Sequence, residues 1–222
     1  MQRHFDEELH DLHTDLLNMG GMTQDAIRSS IEALKAHDMD LARQVIRADD
    51  QIDEMELRID EKCVDLIARH QPMARDLRFI TTGLKINGDL ERIADLALDI
   101  AERVLDLGGK PPLKPLVDIP SLAEIAQGMV RDAIQAFVAR DVDLARKVVL
   151  ADADADALRN QVQQELVNDF MVRDGSTAPR AVPLLLIARH LERICDHATN
   201  VAESVIYMVQ GTVVKHHPEK LV

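Results

Sequence analysis

Apolar residues recur every three or four positions along most of the chain, which is the spacing of amphipathic helices. This pattern predicts three helical segments in the first half, at 4–37, 39–70 and 73–106, and three in the second, at 119–139, 141–173 and 178–210. Asp38 and Asp141 precede two of these segments and are suited to cap them. Gly20 and Gly21 lie within the first segment, where a kink can form. We therefore expect an all-α protein.

The chain also contains an internal repeat. The segment ALKAHDMDLARQVIRADDQIDEM, which begins at Ala33, aligns without a gap with AFVARDVDLARKVVLADADADAL, which begins at Ala136. LERIADLALDIAERV, from Leu90, aligns in the same way with LERICDHATNVAESV, from Leu191. The copies of the first segment begin 103 residues apart, and the copies of the second segment begin 101 residues apart. This difference implies a small deletion between the two segments in the second half. A duplicated unit of this length predicts two copies of one structure.

The turns between the predicted helices are short, so successive helices should lie antiparallel and form two tandem homologous three-helix bundles. We expect the first bundle at 1–107 and the second at 119–212. The sequence GGKPPLKP cannot continue a helix, and it falls within the predicted linker at 108–118. Residues 213–222 are expected to form a polar tail.

Composition and charge narrow the class of protein. The chain of 222 residues has 39 acidic and 26 basic residues and a formal net charge of −13, which argues against binding to nucleic acid. No apolar run is long enough to cross a bilayer, and the acidic, amphipathic N-terminus is unlike a signal peptide, so we expect a cytoplasmic protein. Cys63 and Cys195 are expected to be buried thiols.

Both halves carry carboxylates four residues apart on their second and third predicted helices. Residues at this spacing project from the same face of a helix, so facing helices would bring four or five carboxylates together. In the first half these residues are Asp49, Asp53, Glu91, Asp95 and Asp99. In the second half they are Asp152, Asp156, Glu192 and Asp196, with Asn200 at the fifth place.

Converging carboxylates require protons, basic partners or metal ions. One interpretation is that the acids are solvated and paired with nearby arginines, namely Arg43, Arg47, Arg92, Arg146 and Arg193. Recurrence of acids at the same four positions in both halves favours a bound cation, because carboxylate oxygens suit hard cations, iron and manganese.

The sequence contains no Gly-rich phosphate loop, GxSxG, HExxH or CxxC motif, so we expect a protein that is not an enzyme. A carboxylate-bridged di-iron enzyme is an alternative, but its sites use Glu-x-x-His motifs, and neither Glu91 nor Glu192 is followed by His at that spacing. A purely structural helical scaffold with solvated acids is a further alternative.

Several segments are similar to the PhoU family over nearly the whole chain. They are FDEEL near the N-terminus, LARQVIRADDQID, ARDLR followed by LKINGDLERIADLALDIAE, and LLLIARHLERICDHATNVAESVIY. The resemblance implies two three-helix bundles with multinuclear iron or zinc at paired E/DxxxD motifs, with manganese or magnesium as alternatives. One site would use Asp49, Asp53, Glu91, Asp95 and Asp99, and the other Asp152, Asp156, Glu192 and Asp196. Asn200 departs from the acid at the equivalent place.

The resemblance further implies a negative regulator of phosphate uptake and of the phosphate-starvation response. Such a protein would be an adaptor between a phosphate ABC transporter and a sensor histidine kinase, and it would reach the membrane only through these partners. A homodimer or higher oligomer is also implied. A paralogue that regulates another transport system is an alternative within the same fold.

Overall fold

A computed structural model describes residues 2–113 and 116–214 and confirms the all-α prediction, because these residues contain no β-strand. Their six α-helices are α1 (Gln2–Ala36), α2 (Met39–His70), α3 (Ala74–Leu107), α4 (Asp118–Ala139), α5 (Val142–Gln164) and α6 (Ala178–Gln210). The π-helical segment Glu165–Met171 continues α5, and the 3-10 turn Gly175–Thr177 precedes α6. The predicted segment at 141–173 is therefore α-helical only in its first two thirds.

The first turn of each half has the same construction, as the repeat predicts. His37 and Arg140 both adopt left-handed backbone conformations, each with a φ of 53°. The Asp38 carboxylate then accepts from two backbone N–H groups at 2.9 Å, and the Asp141 carboxylate accepts from the Leu144 N–H at 2.9 Å. Both predicted N-caps are thus confirmed. The turns that contain them are short enough for neighbouring helices to pack antiparallel.

Within each half the three helices pack against one another, α1 with α2 and α3, and α4 with α5 and α6. The halves also pack together through α3 against α6 and α1 against α4. Buried aliphatic side chains from all six helices form one continuous hydrophobic core. The third helix of each half, α3 or α6, therefore lies at the centre of the molecule. α3 also packs against α2, and α6 packs against α5. The candidate site lies between the helices of these two pairs.

The paired glycines do not interrupt α1, which is helical through both positions. A Cβ atom added at Gly20 would lie 2.7 Å from Cδ1 of Ile134 on α4, whereas one added at Gly21 would meet nothing within 4 Å. Gly20 is therefore explained by the close approach of α1 and α4.

Several segments predicted to be peripheral contribute to packing. Val214 is 3% exposed and belongs to the core, although it falls in the predicted polar tail. Leu113 and Leu116 of the predicted linker also pack against the core. Residues 114–115 of the linker and 215–222 of the tail lie outside the described residues. Within the described part of the chain, none of the helices combines the length and apolar character needed to span a membrane.

The two cysteines are free and buried, as expected. Burial, followed by the nearby charge of Asp60, raises the pKa of the Cys63 thiol to about 12. Burial also raises the pKa of Cys195. Neither thiol is therefore activated as a thiolate.

Candidate functional site

The first acidic cluster lies where α2 faces α3 and consists of Asp49, Asp53, Glu56, Glu91 and Asp95. Burial, and then the charges of Asp53 and Asp95, raises the pKa of Asp49 to about 6. Burial and the neighbouring Asp95 likewise raise the pKa of Glu91. The predicted convergence of carboxylates from two helices is therefore present in the first half.

Arg92 lies on α3 and contacts two carboxylates of this cluster on the same helix. Its Nη1 lies 3.0 Å from Asp95 Oδ2 and its Nε lies 3.4 Å from Glu91 Oε2. The Arg92 side chain is 61% exposed, so water screens these contacts strongly. The carboxylates on α2 consequently retain much of their mutual repulsion.

The second acidic cluster lies where α5 faces α6 and consists of Asp152, Asp156, Glu192 and Asp196. Burial, and then the charges of Asp196, Asp156 and Glu192, raises the pKa of Asp152 to about 6. Burial and Glu192 also raise the pKa of Asp196. These four carboxylates occupy the repeat positions of Asp49, Asp53, Glu91 and Asp95 in the first cluster, as expected from the repeat.

Arg159 crosses the second cluster from α5 to α6. Its Nη2 lies 3.0 Å from Glu192 Oε1 and 3.9 Å from Asp156 Oδ1. The side chains of Arg159 and Glu192 are 26% and 16% exposed, so this ion pair is better shielded from water than those of Arg92. The second cluster thus has an internal cation between its two helices.

Two of the ten predicted site residues make contacts between the halves. His190 Nδ1 lies 3.5 Å from Asp99 Oδ2, across the α3–α6 interface. Asn200 donates from Nδ2 to Asp89 Oδ1 at 3.4 Å, and His197 Nδ1 lies 2.9 Å from the same oxygen. These contacts place Asp99 and Asn200 at matching positions on the interface, where they link α3 to α6.

Sequence reasoning missed the two most distinctive members of the site. Glu56 and Arg159 occupy equivalent positions in the repeat, and their difference in charge could have been read from the alignment of the halves. Arg43 and Arg146, expected as partners of the clusters, instead pair with acids of the first helical turn at 2.8 and 3.5 Å. The relevant arginine of the second half is therefore further along α5 than expected.

The buried Asn87 joins α3 to α2 beside the first cluster. Its side chain is 0% exposed, and Nδ2 donates both to the Glu56 backbone carbonyl and to Asp60 Oδ1 at 2.9 Å. A buried amide with these partners fixes the spacing of the helices that carry the carboxylates.

The oxygen-rich composition of the clusters suits a hard cation, whereas the positions of their side chains do not form a metal site. Among residues 2–113 and 116–214, no three His, Cys, Asp or Glu side chains are arranged so that they could hold a metal ion. The clusters nevertheless supply several partly buried oxygen donors from two facing helices. Burial, and then the charges of neighbouring carboxylates, raises the pKa values of Asp49 and Asp152. A metal ion that used Glu91 Oε2 and Asp95 Oδ2 would compete with Arg92, which contacts both oxygens.

Comparisons with known proteins agree with this duplicated architecture. A family model described as the PhoU domain matches twice, at residues 16–104 and 119–205. The chain is 42% identical over 210 residues to a phosphate-specific transport system accessory protein PhoU homolog from Aquifex aeolicus, covering 95% of each chain. It is 40% identical over 218 residues to the protein of the same description from Pseudomonas aeruginosa, covering 97% of this chain and 89% of that one.

Solved structures show the same fold. The crystal structure of PhoU from Pseudomonas aeruginosa superposes with a TM-score of 0.90 at 40% identity, covering 94% of this chain and 100% of that one. The phosphate transport system regulatory protein PhoU from Streptococcus pneumoniae gives a TM-score of 0.88 at 27% identity, covering 95% and 99%. These names denote accessory or regulatory proteins and not enzymes. With two tandem matches to the domain and relatives of this identity over almost its full length, the chain belongs to the PhoU family.

Proposed function

We propose that this chain is a negative regulator of phosphate uptake and of the phosphate-starvation response. The relatives named above are an accessory and a regulatory protein of phosphate transport, and similarity over almost the whole chain supports the same role here. In this role the protein is an adaptor between a phosphate ABC transporter and a sensor histidine kinase. It is located in the cytoplasm as a homodimer or higher oligomer and reaches the membrane through these partners.

We further propose that the two acidic clusters bind iron or zinc, with manganese or magnesium as alternatives. The observation that carries this part is the duplicated convergence of carboxylates from two facing helices, illustrated by Asp49 and Asp152, whose pKa values are both raised to about 6. Such repulsion would be relieved by a cation shared between the helices. The ligands would be the clustered carboxylates, with Asp99 and Asn200 as second candidates at the α3–α6 interface.

Each cluster lies where two helices face each other, and this position suggests how a bound cation would contribute to regulation. When bound, a cation would supply positive charge between the carboxylates of each helix pair. Relief of repulsion would fix the distance between α2 and α3 and between α5 and α6. With these distances fixed, the helices would present one defined surface to the transporter or kinase.

The role can be tested with a phosphate-starvation reporter in a bacterial strain that lacks its own protein of this family. The parent chain should restore repression at high phosphate. A variant in which the eight predicted acids of the clusters are replaced by Asn or Gln should not restore it, and should also lose binding to the kinase or transporter in a pull-down. A control variant with equal charge removed at exposed acids outside the clusters, including Glu61 and Asp154, should behave like the parent.

Each outcome distinguishes between the proposed roles. Failure of the parent chain to repress the reporter would contradict a role in phosphate regulation. Full repression and unchanged partner binding by the cluster variant would contradict the proposed role of the clusters and favour a scaffold with solvated acids. Oxygen consumption that depends on bound iron would instead favour the di-iron enzyme.

A further inference from the structure

A cavity of about 600 Å³ between α5 and α6 is lined by three arginine side chains. Arg159 belongs to α5, and Arg189 and Arg193 belong to α6. We propose that this cavity binds a phosphoryl group, either that of inorganic phosphate or that of a small phosphate monoester. The inference does not depend on metal binding at the acidic clusters.

Two of these arginines lack an ion-pair partner. Within residues 2–113 and 116–214, Arg189 and Arg193 form neither an ion pair nor a side-chain hydrogen bond. The charge of Arg193 acts on Asp196, which also lines the cavity, but the two side chains are not in contact as an ion pair. Like charges four residues apart on one helix repel each other, so this pair of arginines does not stabilise α6. A bound anion would compensate both charges.

Arg159 approaches the cavity from the opposite helix. Its Nη2 donates to Glu192 Oε1 at 3.0 Å, and its Nε is buried without a hydrogen-bond partner among the described residues. Three arginines and two carboxylates, Glu192 and Asp196, are the charged groups that line the cavity. The lining therefore has a net positive charge, although the whole chain has a formal net charge of −13.

The first half of the chain shows that the fold does not require this group of arginines. In the repeat, Arg159 corresponds to Glu56 and Arg189 corresponds to Gly88. The second and third helices nevertheless pack together in both halves, as α2 with α3 and as α5 with α6. The two additional arginines are therefore specific to the second half and are not needed for its helix packing, which favours a role in binding.

The chemistry of the lining indicates the class of ligand. Guanidinium groups bind carboxylate and phosphoryl groups through paired hydrogen bonds. A planar carboxylate offers two oxygens, whereas a tetrahedral phosphoryl group offers three and carries nearly two negative charges at neutral pH. Arginines from two helices can therefore share one phosphoryl group. The cavity has the volume of a small-molecule site, so it also leaves room for an ester substituent beside Leu185 and Ala188, which line it.

The test is a calorimetric titration of the full chain in a buffer free of phosphate and sulfate, after metal and then chelator have been removed. The probes are inorganic phosphate and glycerol phosphate, and succinate serves as a dianion without a phosphoryl group. We expect the better phosphate probe to bind at least about tenfold more tightly than succinate. Tighter binding of glycerol phosphate would identify a monoester as the ligand, and tighter binding of inorganic phosphate would identify the free anion. Absence of binding by both, or equal binding of succinate, would overturn the inference.

Substitutions on α6 test the site itself. Arg189→Gln and Arg193→Gln should each weaken binding of the better phosphate probe by about tenfold or more, because each removes a charged donor. Both side chains are exposed, so both variants should keep the Tm of the parent. The matched control is Arg92→Gln, which removes the arginine at the repeat position of Arg193 in the first half. Unchanged affinity in either α6 variant, or an equal loss in Arg92→Gln, would overturn the inference.

Removal of a carboxylate from the cavity gives the opposite expectation. Asp196→Asn should strengthen binding of the better phosphate probe by about twofold or more, because it removes a negative charge near the ligand. The same variant is expected to lose metal, so the two proposals are distinguished by the direction of the change. Weaker phosphate binding in Asp196→Asn would show that the arginines do not hold the anion directly and would overturn the inference.

Discussion

Replacement of Asp152 by Asn tests whether burial and the neighbouring carboxylates disfavour the charged form of this side chain in the metal-free protein. Asp152 lies on α5 and faces Glu192 and Asp196 on α6, and burial together with these charges raises its pKa from 3.8 to about 6. The folded protein therefore favours the protonated, uncharged form of this side chain. Asn retains the shape of the carboxyl group without its charge.

The expected effect follows from the difference in pKa between the folded and unfolded states. A shift of this size corresponds to about 3 kcal/mol, and partial exposure of the group lowers the expected value to about 1–3 kcal/mol. Because the pKa of Asp152 is raised in the folded state, the contribution of this carboxyl group to stability is fully present below its unfolded pKa of 3.8. This contribution is lost as pH rises through about 6. Asp152→Asn should accordingly stabilise the metal-free protein at neutral pH and have little effect near pH 4.

Urea unfolding in excess chelator, followed by circular dichroism at several pH values, measures this effect. Asp154→Asn is a matched control because Asp154 is an exposed acid of the same helix, and its replacement should change the free energy of unfolding by less than about 0.5 kcal/mol. The reasoning is refuted if Asp152→Asn destabilises the protein at neutral pH, if its effect is the same near pH 4, or if Asp154→Asn stabilises equally.

Four further substitutions test the packing and helix capping that position the site, each by urea or thermal unfolding. Asn87→Ala should cost about 1–3 kcal/mol because it removes two hydrogen bonds of a buried amide, and an effect below about 0.5 kcal/mol would contradict that role. Asp141→Ala should cost about 1 kcal/mol by loss of the N-cap, and an unchanged Tm would argue against it. Gly21→Ala should stabilise by up to about 1 kcal/mol through helix propensity, whereas Gly20→Ala should not, because its Cβ would lie 2.7 Å from the side chain of Ile134. Equal effects of the two glycine substitutions would show that the Ile134 side chain moves aside at little cost.

The helices were predictable because apolar spacing and turn chemistry are local properties of the sequence. The duplicated turns illustrate this, since Asp38 and Asp141 cap helices that begin within one residue of the predicted positions. The π-helical geometry of Glu165–Met171 was not predictable, because apolar periodicity barely distinguishes a short π-helical segment from the α-helix that it continues. The contribution of Val214 to the core depends on contacts with distant residues, which a local pattern does not contain.

The candidate site was predictable in part for the same reason. Spacing at i and i+4 placed the carboxylates on one face of each helix, and the short turns predicted that successive helices would pack antiparallel. The orientation of arginine side chains could not be obtained in this way, so the cross-helix contact of Arg159 with Glu192 was missed. Asp99 and Asn200 continue the acidic spacing but contact residues of the opposite half, because α3 and α6 pack directly together.

The metal content of the protein as purified tests the central claim most directly. Plasma mass spectrometry should be applied to untagged protein prepared without chelator, beside a variant that combines Asp95→Asn with Asp196→Asn. The proposed function predicts several equivalents of iron, zinc or manganese in the parent and fewer in the variant. Equal content in both proteins, or no metal in either after incubation with each ion, would contradict metal binding at the two acidic clusters.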